Sequence, residues 1–201
     1  MHLYPNGLNN PDEVHHGGWG GRFRREKEKN IAGMSCVKAG EKAFEPYEMH
    51  GNTPEGAKAI SRWRPDYDND FAARMEWSVN GDYAAANHHP VAVANGDGSR
   101  RVLTVSVAPG ATVRLDAAGA RDPDDDPLTY SWTYYAEPSS YRGPVELFDA
   151  SSEVATVAVP ADSGGRTLHV VLRVRDSGSP PLTAYRRVVV EVNERRGAGA
   201  P

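Results

Sequence analysis

Asp122, Asp124, Asp125 and Asp126 place four aspartates within five positions. Clustered carboxylates suit a hard cation such as Ca2+, which takes roughly six to eight oxygen ligands. On that reading Asp122, Asp124 and Asp126 are candidate metal ligands. The same residues also suit a solvated turn, with Asp side chains accepting from backbone N–H groups between Pro123 and Pro127. Tyr134, Tyr135 and Tyr141 offer aromatic faces of the kind that stack on the apolar faces of sugar rings. The competing use for these tyrosines is the core.

A glycine-rich loop, His15-His-Gly-Gly-Trp-Gly-Gly-Arg22, carries one aromatic and one arginine. Glycine permits close backbone approach, so such a loop can wrap a ligand. It can equally be a surface turn anchored by Trp19, and it lacks the lysine and spacing of a phosphate-binding loop. The pairs His15-His16 and His88-His89 are poor chelates. Adjacent side chains point apart on a strand and sit about 100° apart on a helix. A lone His169 within a strand reads as a surface or partly packed residue.

The elements that must position these residues fall into two segments. All five lysines precede residue 60, whereas residues after 94 carry twelve arginines and no lysine, so the composition changes near 94. The expected division is 1–94, 95–195 and a Gly/Ala-rich disordered tail, 196–201. In the first segment Thr53-Pro54-Glu55 reads as a helix start. Ala57, Ile60 and Trp63 share a face, and Pro65 is expected to stop that helix. Asp68-Asn69-Asp70 then caps a second helix over 71–79, with Phe71, Met75 and Val79 as its apolar stripe and Gly81 after its end. These short helices bury too little to fold alone.

In the second segment seven strand-like runs are separated by Pro, Gly and Asp turns. They are 102–107, 112–116, 128–135, 145–148, 154–159, 167–175 and 182–193. Leu128, Tyr130, Trp132 and Tyr134 share one face of the third run. Leu168, Val170, Leu172 and Val174 share one face of the sixth. Seven short strands in about 100 residues predict a β-sandwich of Ig-like type. The cysteine pair of antibody domains is absent, so the fibronectin, cadherin or PKD type is expected. The net charge of −4 leaves no basic footprint for nucleic acid. No apolar run approaches the roughly 20 residues of a membrane helix. The N-terminus lacks the basic-then-apolar pattern of a signal peptide. The single cysteine, Cys36, excludes an internal disulfide framework.

Several blocks together resemble a bacterial family. Leu3-Tyr-Pro-Asn-Gly-Leu-Asn9, Gly17-Gly-Trp-Gly-Gly-Arg-Phe23, Arg62-Trp-Arg64, Asn69-Asp-Phe-Ala-Ala-Arg-Met-Glu-Trp77 and Ala86-Asn-His-His-Pro90 resemble the end of a nucleoside-hydrolase-like domain. That domain belongs to secreted proteins described as cellulose-binding. Asp122-Pro-Asp-Asp-Asp-Pro-Leu-Thr-Tyr-Ser-Trp132, Leu168-His-Val-Val-Leu-Arg-Val-Arg-Asp176 and Pro180-Pro-Leu-Thr-Ala-Tyr-Arg-Arg187 resemble the Ig-like domain that follows it.

The resemblance implies a mainly β chain: a partial α/β nucleoside-hydrolase-like segment with two short helices, then an Ig-like sandwich. It implies a secreted or periplasmic, carbohydrate-associated C-terminal piece with a polysaccharide or sugar as ligand and a hydrolase-like domain upstream. Nucleoside hydrolases hold Ca2+ with an Asp-rich motif near their start, and no such motif is present here. Asn69-Asp70 resembles their last ligand position, with Asn where they carry His. Asp70 is therefore the implied catalytic and Ca2+-binding residue. Asn69, Trp19 and Arg22 are implied to line the cleft. Without the upstream motif, no hydrolase activity is expected of this chain alone. The alternatives are part of a Ca2+-dependent glycosidic or N-glycosidic hydrolase, and a purely structural appendage.

Overall fold

The computed structural model describes residues 6–10, 12–25 and 50–194. Cys36, the tail 196–201 and the start of the Leu3–Asn9 block lie outside the described residues. The chain runs through a 3-10 turn (Val14–His16), β1 (Phe23–Arg25), β2 (His50–Asn52), α1 (Lys58–Ser61), α2 (Arg64–Val79) and a second 3-10 turn (Tyr83–Ala85). The sandwich follows: β3 (Leu103–Val107), β4 (Thr112–Asp116), β5 (Thr129–Tyr134), β6 (Glu146–Phe148), β7 (Val154–Ala158), β8 (Thr167–Arg175) and β9 (Thr183–Val192). All seven expected strands are present, their ends shifted by a residue or two.

The strands form two sheets, ordered β3-β9-β8-β5 and β4-β7-β6. β8 pairs antiparallel with both β5 and β9, while β3 runs parallel to β9. Residues paired across strands share a face. Trp132 lies opposite Leu172, and Val170 opposite Val188, on the face turned to the second sheet. Together with Leu115, Val157 and Leu168 they fill an aliphatic core around Trp132. This is an Ig-like sandwich. The residues just before it already belong to it: Ala92 and Ala94 are buried in the same core, and Val91 bridges Arg121.

The other face of the four-stranded sheet is covered as well. Leu8, Trp63, Tyr135, Val171 and Tyr185 form a second core between the sheet and the described residues that precede residue 80, with Trp19 and Tyr67 packed against it. β8 and β9 are consequently buried along most of both faces. The amino-terminal segment is thus a cover on the sheet.

The helices differ from expectation in two ways. Pro65 begins α2 instead of stopping its predecessor. A proline in the first turn has no missing hydrogen bond to answer for and brings a helical φ. Asp68, Asn69 and Asp70 therefore sit inside a helix of 16 residues, where Arg64–Asp68 and Asp70–Arg74 pairs four apart stabilise it. Secondly, Phe71, Met75 and Val79 face outward, 63%, 48% and 86% exposed. The face turned to the sandwich carries Asp66, Asp70 and Ala73, preceded by Trp63. Ion pairs and aromatic packing set the rotation of α2.

Candidate functional site

Arg187 on β9 is fully buried beneath the amino-terminal cover. Its Nε donates to Leu8 O at 2.6 Å, Nη2 to Gly17 O at 3.0 Å, and Nη1 faces His169 Nδ1 at 3.2 Å. Its guanidinium also lies 5.2 Å from the Tyr135 ring centroid. Burial lowers its pKa to about 10, so it stays charged at neutral pH. His169 must then accept through Nδ1 and is neutral. Burial first, then the Arg187 charge, brings it from 6.5 to about 2. The same causes bring His16 to about 3, and the two rings meet edge-on at 4.6 Å. His169 is a buried clamp residue, which corrects its reading as a surface or partly packed histidine.

A second polar knot joins α2 to β8 and β9. Asp66 accepts from Arg173 Nη2 at 2.8 Å, Thr183 Oγ1 at 3.2 Å and the Tyr185 hydroxyl. Trp19 Nε1 donates to Tyr185 Oη at 3.1 Å. Burial and then Asp66 push the Tyr185 hydroxyl upward, so it remains a donor. Trp63 meets Tyr135 and Tyr185 edge-on, with centroids 5.8 and 5.7 Å away.

Asp70 sits beside this knot. Its Oδ1 takes His89 Nε2 at 2.7 Å, and its Oδ2 takes Arg74 Nε at 2.7 Å. Burial raises the Asp70 carboxyl, but the His89 and Arg74 hydrogen bonds outweigh it and hold the group below its ordinary value. Asp70 and Trp19 share the lining of a small cleft of about 170 Å³ with Arg74 and His89. The two other implied cleft residues lie elsewhere. Asn69 Nδ2 donates to Pro181 O at 2.9 Å, and Arg22 pairs with Glu55. The first ties α2 to the loop before β9, and the second ties the cover together.

The three tyrosines do not form one surface. Neighbouring strand positions point to opposite faces, so Tyr134 and Tyr135 diverge. Tyr135 is buried under the cover. Tyr134 Oη donates to Tyr141 O at 3.2 Å, and Tyr141 Oη to Asp162 Oδ1 at 2.8 Å. In the acidic turn Asp122 Oδ1 accepts from the backbone of Asp124 and Asp126 at 2.9 and 3.2 Å. Asp124 Oδ2 accepts from His88 N at 2.7 Å, and its carboxylate lies 3.1 Å from His88 Nδ1. Asp124 and Asp126 thus serve the turn and its junction with residue 88. Among the described residues no group of three His, Cys, Asp or Glu side chains could hold a metal ion.

A groove of about 430 Å³ lies between α1 and the outer face of β5 and β8. Lys58, Ser61, Arg62, Thr133 and Arg173 line it, with Trp63 and Tyr135 behind them. Arg62 lies over the Tyr135 ring at 4.7 Å and pairs with Glu137. Arg173 lies over Trp63 at 4.9 Å. Sequence reasoning passed over Lys58, Arg62 and Arg173. A helix–strand groove between distant segments leaves no spacing pattern to find.

Residues 112–192 match the family model of the C-terminal domain of the cellulose-binding protein Sde0182. That match runs from the start of β4 to the end of β9. A solved nucleoside hydrolase-related protein of Saccharophagus degradans, associated with carbohydrate metabolism, is 44% identical over 94% of this chain, with a TM-score of 0.82. This chain spans 45% of that protein's length. A PKD domain from the KIAA 1837 protein is 26% identical over 50% of the chain and 87% of its own, with a TM-score of 0.36. Human CDH23 EC21-23 is 25% identical over 45% of the chain and 30% of its own, at 0.33. No curated protein matches. Among the described residues no helix is long and apolar enough to cross a membrane.

Proposed function

We propose that the chain is a non-catalytic, carbohydrate-associated module, the sandwich-bearing part of a longer hydrolase-related protein, and that its saccharide-facing surface is the groove between α1 and β8. The observation that carries this is the groove's lining. Lys58, Ser61, Arg62, Thr133 and Arg173 supply N–H and O–H donors around a recess of about 430 Å³. That size falls in the usual range of roughly 300–1,000 Å³ for small-ligand sites. Sugar hydroxyls take such donors, and the aromatic rings behind them give a stiff wall. The non-catalytic reading is supported by Asp70, whose two oxygens are committed to His89 and Arg74.

The test is a pull-down of the full chain on insoluble cellulose and xylan, with Lys58→Ala and Arg62→Ala alongside. Retention of the parent and its loss in either variant supports the groove. Undiminished retention of both variants moves the site elsewhere. No retention on either polymer overturns the binding reading and leaves a structural appendage. Release of reducing sugar or nucleobase by the purified chain would overturn the non-catalytic reading.

A further inference from the structure

The junction of residues 87–88, the turn before β5 and the loop between β8 and β9 holds oxygens that no donor satisfies. Asn87 and Asp176 are only 7% and 4% exposed. Asn87 Nδ2 donates to Asp176 Oδ1 at 3.2 Å and to Pro180 O at 2.8 Å. These two bonds fix the orientation of the amide, and its buried Oδ1 has no partner. Asp176 Oδ1 also accepts from the backbone N–H groups of Gly178 and Leu182, at 3.1 and 2.8 Å, while its buried Oδ2 has none. Asp122 repeats the arrangement. Its Oδ1 holds the turn, and its buried Oδ2 is unpartnered.

Hydrogen bonds bring the three together. Asn87 touches Asp176, its neighbour His88 is bonded to Asp124, and Asp124 N donates to Asp122 Oδ1. Among the described residues no Lys or Arg is bonded to Asp122 or Asp176. Burial, and then the charges of Asp176 and Asp124, raise the Asp122 carboxyl against the pull of its backbone partners. Buried carboxylates without a counter-charge are costly, and each uncommitted oxygen adds to that cost.

We propose that Asp122, Asp176 and Asn87 form a divalent-cation site selective for Ca2+. Each residue uses one side-chain atom to hold its own segment and turns the other to the ion. The ligands are all oxygen, come from three loops and leave positions for backbone carbonyls and water. That favours Ca2+ over Mg2+, which demands near-ideal octahedral geometry. Two carboxylates place the affinity in the weak range, with a dissociation constant of roughly 0.1–1 mM. The ion ties the stretch leading into the sandwich to the sandwich itself. The expected set Asp122, Asp124 and Asp126 thus keeps only its first member.

The experiment uses the full chain, stripped with chelator and titrated with CaCl2 or MgCl2 while its melting temperature is followed. Ca2+ at tenfold its dissociation constant raises Tm by roughly 3–6 °C. Mg2+ at the same concentration gives less than half of that. Asp122→Asn and Asp176→Asn each keep the oxygen that holds the loop and abolish the rise; if the second fails to fold, the first decides. Tb3+ gives a direct readout. Trp77 Nε1 donates to Asn87 O at 2.9 Å, so Trp77 sits close enough to sensitise bound Tb3+. Trp77→Phe dims that luminescence while keeping the Ca2+-dependent rise. No rise at about 10 mM Ca2+, well above the expected dissociation constant, overturns the site. So does an undiminished rise in Asp122→Asn.

Discussion

Along β8 and β9 both faces of the β3-β9-β8-β5 sheet are buried, yet they are built from different chemistry. The inner face carries Trp132, Leu168, Val170, Leu172, Val174, Val188 and Val190 and packs on the second sheet. The outer face carries Tyr135, His169, Val171, Arg173, Tyr185 and Arg187 and packs on the amino-terminal cover. Aliphatic burial is non-directional, so the inner face holds by area and fit. On the outer face every polar group needs a partner at a set distance, so the cover can dock in one position only. The inner face makes the sandwich stable; the outer face makes the cover specific.

The hardest test of this contrast is on the inner face. Trp132→Ala removes a side chain 3% exposed, together with its bond to Ser152 O. It is expected to lower global stability by about 3–5 kcal/mol, measured by urea unfolding. Arg187→Met on the outer face leaves Leu8 O and Gly17 O without their donor. Its expected cost is about 2–3 kcal/mol, and it shows first as loss of hydrogen-exchange protection in 6–18 while the inner strands keep theirs. A uniform loss across both faces would mean that they unfold as one unit.

Next in size is a pH effect confined to the outer face. The folded pKa of His169, about 2, lies below its unfolded value of 6.5. Its contribution is therefore complete above pH 6.5. It is lost as pH falls from there toward 2, where the unfolded chain binds a proton that the folded chain refuses, at up to about 1.4 kcal/mol per pH unit. His16, partly exposed, adds in the same sense. Urea midpoints between pH 8 and 5 should fall more steeply for the parent than for His169→Gln. The smallest effect is expected outside both faces. Phe71→Ser, on the exposed stripe of α2, should change stability by less than about 0.5 kcal/mol. A larger loss would show that α2 leans on that stripe after all.

The inner face was legible because alternation of Leu and Val with other residues marks one side of a strand, and the seven sandwich strands were expected from such runs and the turns between them, whereas β1 and β2 were not. The outer face was not. Arg173, Arg187, His169 and Tyr185 fall at the alternate positions, where polar residues ordinarily mark solvent, and only the packed cover reveals Arg187, His169 and Tyr185 as buried and Arg173 as bonded to Asp66. The same blindness reversed the rotation of α2. Phe71, Met75 and Val79 form the better apolar stripe, but Asp66 bonds Arg173, Thr183 and Tyr185 on the sandwich, Asp70 bonds His89, and these contacts carry the helix round. Asp70 read as a cap because Asp-Asn-Asp favours helix starts, whereas Pro65 had already opened the helix. Asn87 and Asp176 gave no signal at all, since each is a lone residue whose meaning depends on the other.

The Arg187 clamp also sets an order of events during synthesis. Its acceptors, Leu8 O and Gly17 O, lie 179 and 170 residues earlier in the chain. The earliest of the described residues are therefore made long before the strand that holds them. They must wait, unsheltered, while the intervening strands emerge from the ribosome, and they close over β9 only after it has joined the sheet. Until then Trp63 lacks the Tyr185 ring that it meets in the finished fold.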